Sequence, residues 1–155
     1  MAGKVKPIPD GYHAVTPYLI VNDGARALDF YQRAFGAKER MRMPQPDGRI
    51  GHAEIQIGDS RIMLADEFPE MDARSPKSVG SSPVSIMLYV EDVDAVFKQA
   101  IAAGAREVRP VADQFYGDRL GSLEDPFGHK WHIATHKEDL SLDEIKKRAA
   151  AAKAG

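Results

Sequence analysis

The sequence contains no cysteine. Disulfide frameworks, thiolate zinc sites and thiol nucleophiles are excluded together. Long apolar runs are also missing. Val84–Val90 is among the longest, far short of the ~20 residues that a membrane helix needs. No block of Lys and Arg precedes the C-terminal tail, and 21 basic against 23 acidic residues leave a net charge of −2. Nucleic acid is not an expected partner, because neutralising phosphates takes clustered cations. Met1–Asp10 carries Lys4 and Lys6 but no apolar segment, so no secretory signal is read there and the cytoplasm is the expected compartment. Neither a phosphate-cradling glycine loop nor a nucleophile elbow is found. No serine stands in an evident Ser/His/Asp context.

What is present is a chain of 155 residues, 43% hydrophobic and 28% charged, the composition of one ordinary globular domain with a real core. His13–Val21 is rich in β-branched and aromatic residues and reads as a strand. Pro17 marks it as an edge or bulged strand, since proline cannot donate to a ladder. Asn22 or Asp23 then caps a helix whose buried stripe is Ala27, Leu28, Tyr31, Ala34 and Phe35, stopped by Gly36. Lys38–Met43, Arg49–Ile57 and Ser60–Asp66 follow as strands, the last two joined at Gly58-Asp59. The pattern then repeats. Val84–Val90 is a strand, Asp92–Ala103 a helix with Val93, Val96, Phe97, Ala100 and Ile101 inside, and Gly104 its stop. Val108–Val111, Asp118–Leu123 and His129–Thr135 are three more strands, with Asp125–Gly128 as a turn. Leu19, Val21 and Asp23 match Leu88, Val90 and Asp92, a repeat of roughly 70 residues that points to a duplicated module. The organisation expected is a single domain of two modules (about 13–66 and 84–136). A polar Pro/Ser-rich connector covers 67–83, and a tail over 137–155 has a capping box at Ser141–Glu144.

Strand alternation names the faces of each sheet. Gly51, Ala53, Ile55 and Ile57 are expected against helices, which leaves His52, Glu54 and Gln56 on the other face. A two-residue turn at Gly58-Asp59 pairs Glu54 with Met63 and Gln56 with Arg61. By the same rule Val84, Ile86, Leu88 and Val90 face helices and Ser85, Met87 and Tyr89 do not. Trp131 and Ile133 face helices, while Lys130, His132, Ala134 and His136 do not. Thr16 and Tyr18 share the second face of the first strand. Open solvent explains polarity alone, but Tyr18, Met63, Met87 and Tyr89 among the polar groups point to a lined pocket. Phe115-Tyr116 in the loop 112–118 is read as ordinary packing or as a rim over a flat ligand.

Several stretches together resemble a family: Thr16–Leu19 leading into Leu28–Tyr31, Gly51–Ile55, Ile57–Ser60, Leu88–Asp94, and Glu124–His132 followed by Ala134–His136. They look like the PhnB-like branch of the glyoxalase/bleomycin-resistance group, within the vicinal oxygen chelate superfamily. The resemblance runs from about Tyr12 to Leu142. It implies an α+β fold of two βαβββ modules forming an eight-stranded open cup, and a homodimer. Metal-dependent members hold a divalent ion with four side chains, mostly His and Glu. The matching positions here are Thr16, Met63, Ser85 and His132, of which His132 alone is a strong donor.

Two functions follow. In the first, the chain binds or sequesters a small organic molecule without metal, lining the site with Tyr18, His52, Glu54, Gln56, Met63, Met87, Tyr89, Phe115, Tyr116 and His132. In the second, it is a glyoxalase-like lyase or isomerase with Glu54 and His132 catalytic, acting as an acid–base pair or with Zn²⁺ or Ni²⁺ on His52, Glu54 and His132. The remaining histidines have structural readings: His13 and His136 at the surface or a strand end, and His129 satisfying a turn.

Overall fold

The computed structural model describes residues 3–154. Among them Asp23 and Asp92 open equivalent helices, each side chain accepting from the backbone N–H three residues on, Arg26 and Ala95, at 3.1 Å. These caps give donors at a helix start the partners the helix cannot supply. Gly36 closes the first helix in the left-handed region (φ 67°), where a side chain would be strained.

The elements are β1 Tyr18–Val21, α1 Gly24–Phe35, β2 Lys38–Pro44, β3 Ile50–Ile57 and β4 Ser60–Asp66. After a 3₁₀ turn at Pro69–Met71 and the short helix α2 Pro76–Val79 come β5 Ser85–Tyr89, α3 Val93–Ala103, β6 Arg106–Asp113, β7 Asp118–Glu124, β8 Lys130–His136 and α4 Leu142–Ala154. The chain divides between Ser81 and Ser82 into two compact units. Each unit is a βαβββ module, and the fold is α+β as expected. The sheets have the orders β1-β4-β3-β2 and β5-β8-β7-β6. In each, the first strand runs parallel to the last and the other pairs are antiparallel.

In the first unit α1 buries Ala27, Leu28, Phe30, Tyr31 and Ala34. Phe30 replaces the expected Phe35, which is half-buried and stacks on Tyr31 with centroids 6.1 Å apart. Asp66 ties the helix to the sheet: its buried carboxylate accepts from Gly24 N–H (2.9 Å) and Ile50 N–H (2.7 Å). Gly24 is required there, because a Cβ would lie 2.7 Å from Asp66 Oδ2. The second unit uses Thr135 at the same place, its hydroxyl accepting from Val93 N–H (2.9 Å) and donating to Val90 O (2.8 Å). Asp125, 2% exposed, holds the β7–β8 turn by accepting from Phe127 N–H, His129 N–H and the Trp131 indole.

Three further local expectations are corrected. The first strand begins at Tyr18, not His13: Pro17 has no N–H to donate, although its carbonyl still accepts from Met63 N–H at 3.0 Å. Gly51 does not pack on the helix, because pairing passes from Met43–His52 to Pro44–Ile50 and leaves it as the extra residue of a bulge. Its Cβ would strike Gln45 at 2.5 Å, and Ile50 takes the buried place instead. Val84 lies before β5 and is 67% exposed, so it has no helix to face. The connector is ordered: Glu67 accepts from Ser75 N–H and from the Ser75 and Ser78 hydroxyls, which fastens α2 beside a Phe68–Ala73 bridge.

Candidate functional site

The β3–β4 register is the one the two-residue turn requires, with Glu54 opposite Met63 and Gln56 opposite Arg61. Cross-strand pairing then sets a row across the first sheet: Tyr18, Met63, Glu54 and Met41. Glu54 is the hub. Its Oε1 accepts from the Tyr12 hydroxyl, and its Oε2 lies 2.9 Å from His52 Nε2. His52 Nδ1 in turn lies 2.8 Å from the Tyr18 hydroxyl. In the tautomer whose Nε2–H is donated to the carboxylate, Nδ1 accepts from Tyr18, and each of these contacts has one donor and one acceptor. Hydrogen bonds from Tyr12 and then His52 hold the Glu54 carboxyl below its usual range. Burial, reinforced by Glu54, pushes the Tyr12 phenol up to about 12. Burial and then the Glu54 charge also raise Tyr18.

Tyr12 was not among the expected site residues. It precedes β1, yet its ring lies 5.5 Å from the Arg61 guanidinium carbon, so the N-terminal segment covers part of this face. A cavity of about 290 Å³ opens beside Tyr18, which is 48% exposed; Ile20, Gly51, Ala65, Phe68 and Met71 are among its walls. Gln56 turns away from this role. Its oxygen accepts two bonds from Arg40 and its amide donates to Gly58 O.

The corresponding row across the second sheet is Met87, His132, Ser122 and Arg109. Ser122, buried, places its hydroxyl 2.7 Å from His132 Nδ1. The β7–β8 register, with Glu124 opposite Lys130 across the loop 125–129, gives this pair. A cavity of about 230 Å³ lies over the row, and Met87, Arg109, Tyr116, Leu120, Ser122 and His132 are among its walls. Tyr116 therefore belongs to a cavity wall, whereas Phe115 packs edge-on against it at 5.2 Å. Tyr89 is 56% exposed and donates to Asp118 at 2.8 Å. Asp118 and Asp139 hold His136 between them, each at 2.8 Å, and these bonds raise the imidazole's pKa, Asp118 foremost.

The positions matching the superfamily's metal ligands do not fit a transition ion. Thr16 Oγ1 donates to His13 O, Met63 offers a thioether, Ser85 is an exposed hydroxyl, and His132 has Nδ1 engaged by Ser122. In the alternative set, both His52 nitrogens and both Glu54 oxygens already have partners. Among the described residues no three His, Asp or Glu side chains gather as a metal cage. No helix among them is long and apolar enough to cross a membrane.

Residues 12–133 match the Glyoxalase/Bleomycin resistance protein/Dioxygenase superfamily. An uncharacterised protein of Mycobacterium bovis is 44% identical over 136 residues, covering 86% of this chain and 90% of its own. TioX from Micromonospora sp. ML1 is similar in structure, with TM-score 0.63 and 26% identity over 83% of this chain and all of its own. The PhnB protein of Bacillus cereus shares the fold at TM-score 0.62 and 18% identity, covering 79% of this chain and 99% of its own. Two duplicated βαβββ units, the matched span and the close mycobacterial relative agree: the chain belongs to the glyoxalase/bleomycin resistance protein/dioxygenase superfamily.

Proposed function

We propose that this chain is a small-molecule-binding protein of the PhnB-like branch. It holds an organic ligand on its polar sheet faces without a resident metal, as a cytoplasmic homodimer. The observation that carries the reading is the kind of wall around each cavity. Aromatic and thioether groups, Tyr18 and Met71 in one unit and Tyr116 and Met87 in the other, stand beside a few polar groups fixed by hydrogen bonds. Ligand sites combine those two ingredients, and a merely solvated sheet face does not need the first. Metal analysis of the purified protein, followed by a thermal-shift screen of small aromatic and hydroxylated compounds with and without divalent ions, tests the reading. Hits whose shifts are the same with and without the ions support it. A stoichiometric ion whose removal abolishes every shift contradicts it.

One observation favours a second reading, a metal-free lyase or isomerase. Carboxylate, imidazole and phenol stand in sequence at Glu54, His52 and Tyr18, so the carboxylate orients the imidazole and the imidazole accepts from the phenol. Such an order moves a proton at Tyr18, the exposed end. Exchange of a ketone α-proton in D₂O, followed by NMR, is expected to fall in His52→Gln if this reading holds, and to be absent from wild type if it does not.

A further inference from the structure

The two cavities differ in the charge of their walls. Among the described residues no Asp or Glu lines the cavity of the second unit, whereas Arg109 does. Arg109 sits opposite Ser122 between two register irregularities of the edge strand β6, with Pro110 next to it. Bulges of this kind re-aim side chains. Five acids of this unit have other cations: Asp94 and Asp113 hold Arg119, Glu124 holds Arg106, and Glu138 and Glu144 hold Arg148. The Arg109 guanidinium makes no hydrogen bond or ion pair with any of the described residues. Two further groups share its cavity and lack partners among the described residues: the Tyr116 hydroxyl, and His132 Nε2, a donor in the tautomer whose Nδ1 accepts from the Ser122 hydroxyl. Met87, Pro110 and Leu120 supply apolar wall.

We infer that the second unit carries an oxyanion site. Arg109, Tyr116 and His132 receive the carboxylate or phosphonate head of a small organic acid, whose apolar body lies on Met87, Pro110 and Leu120. This rests on the binding reading and adds the ligand's charge and the unit that recognises it. Guanidinium suits the head group because its planar N–H fork meets two oxygens at once. The cavity volume, about 230 Å³, limits the ligand to roughly one ring with its head group. Ser122 acts as a positioning residue, since its hydroxyl fixes the ring of His132 from the Nδ1 side.

Calorimetry on the full chain with benzoate, phenylphosphonate and neutral benzamide tests the site. At least one of the two anions is expected to bind about tenfold tighter than benzamide and to weaken at high salt. Preference between them tells a carboxylate ligand from a phosphonate one. Arg109→Gln is expected to lose that advantage, so that the anions bind no tighter than benzamide. Arg106→Gln, on the same strand but outside the cavity, removes the same charge and is expected to change nothing. Circular dichroism of both variants controls for folding. Equal binding of benzamide and the anions, or undiminished anion affinity in Arg109→Gln, overturns the oxyanion site and leaves the small-molecule reading standing. Absence of binding by all three probes overturns the site, and it reaches the broader reading only if the aromatic thermal-shift screen is also empty.

Discussion

Tyr18, Met63, Glu54 and Met41 cross the first sheet where Met87, His132, Ser122 and Arg109 cross the second. Backbone and register are repeated, and the chemistry is inverted. The first row has an acid at its hub, with both oxygens satisfied by Tyr12 and His52. The second has a neutral hydroxyl at that place and a cation beside it. Duplication preserved the frame because caps, turns and core stripes hold it. The row on the sheet face away from the helices was free to diverge, since changing one of its residues leaves the core stripes in place. The difference teaches that the first face is organised by the chain's own groups, while the second keeps donors to spare.

The frame itself offers the sharpest contrast in stability. Asp66 and Thr135 tie helix to sheet at the same place, one by a buried carboxylate and one by a hydroxyl. Asp66→Ala strands two backbone donors and is expected to cost about 2–4 kcal/mol, against about 1–2 kcal/mol for Thr135→Ala. Chemical denaturation measures both. Equal costs would break the comparison.

Much of this frame was legible in the sequence, because it is written in local signals. Asp23, Asp92, Gly36 and Gly104 bound the helices, and Gly58-Asp59 sets a register that names Glu54 and Met63 as neighbours. Residues of the site were legible only where alternation ran unbroken. Gly51 defeated it, since a bulge moves a residue to the other face without changing composition. Tyr12 was invisible because it meets Glu54 across 42 residues, from a segment with no periodicity. The Ser122–His132 pair escapes the same turn logic, because the loop spans 125–129, one residue more than the Asp125–Gly128 turn, and Arg109 becomes notable only once its guanidinium is seen unpaired on a cavity wall.

The relay of the first sheet gives the next effect. Glu54→Gln keeps the shape but weakens the bonds from Tyr12 and His52, and is expected to cost about 1–2 kcal/mol at neutral pH. Because the folded carboxyl titrates below its ordinary 4.5, its contribution is full above that value and is lost as the pH falls through the lowered one. The gap between wild type and Glu54→Gln in urea melts should therefore close in acid. A gap that persists unchanged there assigns it to something other than the charge.

In the second sheet Ser122→Ala removes the hydroxyl–imidazole pair and is expected to cost about 1 kcal/mol. His136 supplies the smallest effect and the opposite sign. Its pKa is raised above 6.5, so its contribution is full below that value and fades as the pH rises through the raised one. His136→Asn should flatten the stability profile above pH 6.5, read as melting temperature against pH. An unaltered slope would show that Asp118 and Asp139 do not act through this imidazole.

The contrast between a self-satisfied face and a receptive one is tested most directly by amide chemical-shift mapping of the full chain titrated with benzoate and phenylphosphonate. The account expects the saturating shifts around Met87, Arg109, Tyr116, Ser122 and His132, with Tyr18, His52 and Glu54 unmoved. Shifts gathered around Tyr18, His52 and Glu54 instead, with the second sheet silent, would contradict it.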